Sequence, residues 1–312
     1  MSASAGAHER PEPRAVLWAA ISTVLVFVVA EGMPYLALPM LILTPFPVSV
    51  LRLRATLGNA ALALAMAGAA VGAWIGPGSG LLLVAVTLPG LLLADTMARG
   101  RGMRRGTARA MLLAASQLGL ALLFAPARMA QLALQPFDDV RAAPFVESLR
   151  QGGLPAEKVQ WWLDQATLFH GILEVVYPAF FLVMGAAIAL GHALVLRLYL
   201  RRRDPGWLEG GEFERLRLPL VLSVVFVAAG AGVASPVLRP LSYNVLLGLA
   251  FLYALQGVAV VCFYTRRLAA PPVLRAAVLI LVLVNPWAPE VLALLGLFDL
   301  WFDFRKWAEV EE

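Results

Sequence analysis

Residues 81–125 read LLLVAVTLPGLLLADTMARGRGMRRGTARAMLLAASQLGLALLFA, two apolar blocks with five arginines between them. Each block is close to the length of about 20 residues that a helix needs to cross the hydrocarbon core of a bilayer. The arginines lie in the short gap, where positive charge marks the cytoplasmic end of membrane helices. This stretch therefore predicts a helical hairpin inside a membrane.

The same alternation covers most of the 312 residues. Hydrophobic residues make up 61% of the chain and charged residues 14%, against about 45–50% and about 25% in soluble domains. The pattern predicts an all-α, polytopic transmembrane helical bundle with about 8–10 membrane segments. Its apolar blocks are Ala15–Ala30, Met33–Leu43, Leu57–Ile75, Leu81–Met97, Ala110–Ala125, Phe169–Leu200, Leu218–Val237, Val245–Tyr264, Val273–Pro286 and Val291–Phe304.

The first two and the last two blocks are too short to span a bilayer singly. Each pair is joined by a break that contains proline, at residues 31–34 and at residues 285–289. Short, interrupted segments of this kind line the binding sites of some transporters. They are also consistent with two tight helical hairpins whose arms are tilted or partly inserted, which is the simpler interpretation. Both interpretations stay open at this point.

Arginine-rich gaps follow Met97, Leu196 and Tyr264, and a fourth contains Arg52 and Arg54. The positive-inside tendency predicts that these gaps are cytoplasmic, in a multi-pass protein of the inner membrane. Residues 126–168 then form an extracytoplasmic loop with a short amphipathic helix at Pro144–Gln151, and a helix that begins near Pro155 runs on into the bilayer. We expect one transmembrane domain, 15–307, between a disordered cytoplasmic tail, 1–14, and an acidic tail, 308–312.

The chain lacks the familiar motifs of catalysis and nucleotide binding, including G-x-x-x-x-G-K-[ST], H-E-x-x-H, C-x-x-C and G-x-S-x-G. One cysteine, Cys262, makes a cysteine-based metal site improbable. The basic residues flank apolar blocks, a distribution typical of membrane topology and not of nucleic-acid binding. We therefore predict a protein that is not an enzyme and has no cofactor, no metal and no nucleic-acid partner.

Polar residues at the outer ends of the blocks are the candidates for a small-molecule site, because charge inside a membrane is costly and tends to be functional. They are expected at similar depth, where they would form an outward-facing polar pocket; the alternative is that each is simply solvated at the interface. The candidates are Glu31, His170, Glu174, Arg239, Asn244 and Glu290.

Small residues recur every four positions in the third block. Such a stripe allows another helix to approach closely. It serves either packing within the chain or docking of a second membrane protein. Its members are Ala61, Ala65, Gly68, Ala69, Gly72 and Ala73.

The stretch 294–306, LLGLFDLWFDFRK, combines acids, aromatic residues and an arginine at a membrane edge. Pairing among Asp299, Asp303 and Arg305, with Trp301 anchored in the headgroup layer, would make it a structural lock, while contact with a partner is the alternative. This ending resembles that of the YybS-like bacterial membrane proteins, the domain of unknown function 2232. Residues 244–260 and 215–220 are also similar to that family. The resemblance implies a polytopic inner-membrane protein without implying an activity.

A fainter resemblance links Pro34, Pro45, Pro47 and the small-residue block to the substrate-binding subunits of energy-coupling-factor vitamin transporters. That resemblance implies ligand binding near the outer face and docking of a transmembrane partner, although here the stripe lies in the third block and not in the first. Two hypotheses result. The first is a small-molecule binding or transport subunit; the second is a non-transporting scaffold or regulatory partner that acts through its small-residue face and C-terminal motif.

Overall fold

The computed structural model describes residues 13–33, 36–208, 213, 216–268, 271 and 287–309. These residues form helices and no strand, which confirms the all-α prediction. The helices are α1 (Pro13–Gly32), α2 (Ala37–Leu43), α3 (Phe46–Arg54), α4 (Leu57–Trp74), α5 (Pro77–Ala98), α6 (Met103–Phe124), α7 (Pro126–Arg141), α8 (Ala143–Gln151), α9 (Ala156–Arg203), α10 (Val221–Gly232), α11 (Arg239–Arg267), α12 (Ala288–Phe302) and α13 (Phe304–Glu309).

Seven stretches of the described chain are long and apolar enough to cross a membrane, and α10 is a shorter apolar helix. The polytopic prediction is thereby confirmed. At the start of the chain, α1 is 20 residues long, and α2 and α3 together cover the second span with a turn at Thr44 and Pro45. The block Val273–Pro286 at the other end lies outside the described residues, as do Pro34 and most of both predicted tails.

Local signals in the sequence explain where the hairpin of α4 and α5 begins and turns. The side chain of Thr56 accepts a hydrogen bond from the Asn59 amide, 3.3 Å away, and so caps the start of α4. Between the helices Gly76 has a φ of 145°, which a residue with a Cβ rarely adopts. Pro77 then occupies the first turn of α5, where its missing N–H costs no hydrogen bond.

The helix predicted from Pro155 runs for 48 residues as α9 and passes through Pro178 without ending. Two shorter helices precede it, of which α8 was predicted and α7 was not. α7 contacts α9 through stacked rings of Phe137 and Phe169, whose centroids are 6.2 Å apart. The predicted extracytoplasmic loop is thus largely helical.

The chain divides into two compact units. The first contains α1–α6 and the C-terminal part of α9. One buried cluster in this unit joins α1, α3, α4 and α5 through residues such as Phe27, Val48, Ala63 and Leu83. A second cluster, described below, gathers the ends of α3, α5, α6 and α9.

The second unit contains α7, α8, the N-terminal part of α9 and α10–α13. Its buried cluster is built around Leu249, Tyr253 and Leu297, with the ring of Phe226 set edge-on to Tyr253. The backbones of α11 and α12 are in contact at two glycines. A Cβ added to Gly257 would overlap the carbonyl oxygen of Leu292. One added to Gly296 would overlap that of Tyr253. Small residues permit this close approach.

Candidate functional site

The small-residue stripe of α4 divides into two faces. Gly68 and Gly72 pack against α5, where they contact Val84 and Gly80, so the glycines serve packing within the chain. The four alanines at positions 61, 65, 69 and 73 are exposed. Helix α4 buries a different set of small and apolar residues against its neighbours, namely Ala60, Ala63, Leu64, Ala67 and Val71.

The C-terminal motif surrounds a buried ion pair. Asp299 on α12 accepts from the guanidinium of Arg305 on α13, and their exposed fractions are 4% and 3%. The amide of Gln256 on α11, 1% exposed, donates to the same carboxylate oxygen at 2.8 Å. Asp303, whose backbone has the left-handed conformation, separates the two helices. This turn brings Arg305 back toward Asp299. A buried charge is tolerated only when it is paired in this way.

The same network holds the segment that leads into α10. Arg305 donates to the carbonyl of Leu216 at 3.0 Å, and the amide of Leu218 donates to Gln256 Oε1 at 2.9 Å. The hydroxyl of Tyr264 donates to the carbonyl of Phe304 at 2.6 Å. Three stretches distant in sequence are therefore tied by one cluster of polar contacts. This geometry agrees with the interpretation of the motif as a structural lock.

The outer members of the motif, Asp303 and Trp301, are partly or largely exposed. Asp303 forms an ion pair with Arg217 at 2.9 Å, on the surface of the second unit. Trp301 is 51% exposed. Surface pairs of this kind contribute about 0–1 kcal/mol, so the stability of the motif rests on the buried pair.

The residues predicted to form a polar pocket are divided between the two units. Glu31 is exposed near the end of α1 in the first unit, and the other five belong to the second unit. There Glu174 and Glu290 are exposed, and Arg239 donates to the carbonyl of Val233 at 3.1 Å. A common site for these residues stays a prediction.

His170 pairs with a residue outside the predicted set. Its Nε2 lies 3.3 Å from Asp138 on α7, and Asp138 also accepts from Arg141 at 2.6 Å. An open groove beside these residues is lined by Arg141, Glu147 and Arg150, among others. Asp138 was not among the candidates, because the sequence alone does not bring α7 against α9.

The side chain of Asn244 on α11 forms two hydrogen bonds with the backbone of α9. Its Oδ1 accepts from the amide of Ala179 at 2.9 Å, and its Nδ2 donates to the carbonyl of Val175 at 2.8 Å. These two backbone groups are an i, i+4 pair in the turn that Pro178 weakens by lacking an N–H. Asn244 therefore has a structural role at the proline of α9.

A serine and a histidine meet in the first unit. Ser49 Oγ lies 3.0 Å from His192 Nε2, and His192 Nδ1 lies 3.3 Å from the carbonyl of Ile42. Ser49 is 0% exposed and His192 is 1% exposed, so solvent does not reach either group. Gly90 lies against the imidazole, which leaves no space for a larger side chain. The pair therefore joins α3 to α9 as a buried hydrogen bond.

Among the described residues, no group of three or more His, Cys, Asp and Glu side chains is placed to hold a metal ion. Arg52 and Arg99 both bind Asp95, at 2.9 and 2.8 Å, and the carboxylate is thus already neutralised.

The fold and its buried polar contacts define an all-α integral membrane protein that crosses the bilayer several times. The model of the family DUF2232, described as "predicted membrane protein", matches residues 20–300, and the chain belongs to that family. The YybS-like resemblance is thereby confirmed. Comparisons with curated proteins and with solved structures found no match, and the resemblance to energy-coupling-factor subunits gains no support.

Proposed function

We propose that the chain is a non-catalytic membrane scaffold or regulatory partner that binds a transmembrane helix of a second membrane protein along α4. The observation that carries this proposal is the exposure of Ala61, Ala65, Ala69 and Ala73, which we call the alanine face. Lipid tails fill any exposed apolar surface, so alanine has no advantage over leucine in contact with lipid. Alanine does allow the backbone of another helix to approach.

The surroundings of the alanine face suit a helix better than lipid. Leu62, Met66 and Trp74 are exposed next to it, with 53%, 39% and 71% of their surfaces accessible. A row of small residues beside a row of large ones forms a groove and a ridge, the two elements of helix packing. The partner that fits is a transmembrane helix with small residues of its own at four-residue spacing.

Replacing both Ala65 and Ala69 by Leu is expected to abolish partner binding without unfolding the chain. Both positions are exposed, so the free energy of unfolding should change by less than about 0.5 kcal/mol. Native mass spectrometry of the gently solubilised protein should show a heteromeric complex for the wild type and the lone chain for this variant.

Two controls accompany this experiment. Ala228→Leu adds the same bulk at an exposed position of α10 and should leave the complex intact. Ala63→Leu places the larger side chain at a position that is 0% exposed and should destabilise the fold by about 1–3 kcal/mol. A lone wild-type chain, or a complex that survives both alanine replacements, would contradict the proposal. A homodimer would contradict the identity of the partner.

The hypothesis of a transport or binding subunit for an unknown small molecule stays a prediction. The open groove lined by Arg141, Glu147 and Arg150 favours it, since both basic and acidic groups line that surface. The same mass spectra test it, because a tightly bound solute adds its mass to the chain. Location in an inner membrane, with the arginine-rich ends in the cytoplasm, is part of our proposal and rests on the positive-inside tendency.

A further inference from the structure

Four helix ends meet at one end of the first unit. A buried cluster joins Leu53 of α3, Met97 of α5, Ala110 of α6, and Leu196 and Leu200 of α9. The residues next to these positions therefore lie around a common core. We call this region the basic end, made of residues 52–54, 95–109 and 197–204.

The basic end carries a large excess of positive charge. Its three segments contain eleven arginines and two aspartates, a formal charge of +9. Asp95 is already bound by Arg52 and Arg99, and Asp204 lies 4.0 Å from Arg54. Eight further arginines are exposed and have no carboxylate partner among the described residues, namely Arg101, Arg104, Arg105, Arg109, Arg197, Arg201, Arg202 and Arg203.

Exposed apolar side chains continue the same helix faces. On α6, Arg105, Arg109 and Leu112 are spaced i, i+4 and i+7, and Leu112 is 68% exposed. On α9, Leu198 and Leu194 lie one and two turns before Arg202 and are 55% and 57% exposed. Residues at these spacings share one face of a helix. Each face therefore offers apolar contact next to guanidinium groups.

This arrangement matches the chemistry of a phospholipid. Acyl chains would lie along the exposed leucines, and the phosphate would meet the arginines at the headgroup level. Guanidinium groups bind phosphate with two parallel hydrogen bonds, which lysine cannot reproduce. Each basic residue near an anionic membrane surface strengthens binding to that surface about fivefold. An anionic phospholipid is thus favoured over a zwitterionic one.

We propose that the basic end binds anionic phospholipids and keeps a shell of them around the first unit. The test is reconstitution into nanodiscs of phosphatidylcholine and phosphatidylglycerol in equal amounts, followed by mass spectrometry of the lipids that stay bound after mild detergent extraction. Nanodiscs expose both membrane faces, so the direction of insertion does not affect the result. We expect phosphatidylglycerol to be enriched at least about fivefold over phosphatidylcholine.

The variant R105Q/R109Q/R201Q/R202Q should bring this enrichment close to unity, and the four corresponding lysine replacements should leave it intermediate. The matched control removes four basic residues of the second unit, R128Q/R141Q/R150Q/K158Q, and should leave the enrichment unchanged. All four arginines of the test variant are exposed, so its thermal unfolding should match that of the wild type. The proposal is overturned if the wild type shows no enrichment, or if the control quartet lowers it equally.

Discussion

Replacing Asp299 by Ala is expected to lower the free energy of unfolding by about 3–5 kcal/mol, the usual cost of removing one partner of a buried ion pair. Arg305 would keep its contact with the carbonyl of Leu216 but lose the carboxylate, in surroundings where only 3% of its surface is exposed. Gln256 would lose its acceptor as well. Steric trapping in detergent micelles measures this free energy for a membrane protein.

Arg217→Ala is the matched control, because it breaks an ion pair of the same C-terminal region on the surface. Its expected cost is at most about 1 kcal/mol. The double replacement D299L/R305M should recover at least half of the loss, since apolar residues leave no buried charge unpaired. Equal and small losses for Asp299→Ala and Arg217→Ala would show that the motif is not a structural lock.

Gly257→Ala is expected to cost about 3 kcal/mol, near the upper end of the usual range for overpacking. The new Cβ would overlap the carbonyl oxygen of Leu292, a backbone atom that cannot rotate away, so α11 and α12 would have to separate. Gly296→Ala should have a similar effect through the carbonyl of Tyr253. Thermal unfolding of the purified protein in micelles is sufficient to detect a change of this size.

Gly248→Ala provides the control within the same helix, because nothing lies within 4 Å of its added Cβ. Alanine is a better helix former than glycine by about 0.8–1.0 kcal/mol, so this variant should be as stable as the wild type or slightly more stable. If Gly257→Ala were as harmless as Gly248→Ala, the close contact between α11 and α12 would be wrong.

Length and hydropathy predicted most of the fold. The spans around the arginine gap at 99–109 follow directly from apolar runs, and the long helix from residue 156 follows from a stretch with no strong breaker before Pro178. The helix α7 was missed, because its moderately polar sequence gives no signal as strong as a membrane span. The turn at Thr44 and Pro45 within the second span was also not foreseen.

The candidate sites were harder to predict than the helices, because they depend on which helix faces pack against each other. A period of four treats Ala65, Gly68 and Ala69 as one stripe, but Gly68 lies about 60° around the helix from Ala65, given 3.6 residues per turn. That rotation turns the glycine toward α5 and leaves the alanines exposed.

The pattern of apolar and polar residues also could not predict contacts between residues that are distant in sequence. Gln256 meets Asp299 across 43 residues, and Ser49 meets His192 across 143. Gln256, Asp299 and His192 lie inside apolar blocks, where a polar residue is unusual, but nothing in the spacing identifies their partners. Asn244 shows the consequence most clearly, because a residue considered for a binding pocket instead bonds to the backbone of α9.

The central claim, that the alanine face binds a helix of another membrane protein, is tested most directly by photocrosslinking in intact cells. Leu62 borders the alanine face and is 53% exposed, so a photoreactive p-benzoylphenylalanine at this position reaches whatever covers the face while Ala65 and Ala69 stay unchanged. Val224 on α10, 65% exposed, is the control position. We expect one defined protein adduct at position 62, only lipid adducts at position 224, and loss of the protein adduct when Ala65 and Ala69 are replaced by Leu. Lipid adducts alone at position 62 would contradict the account.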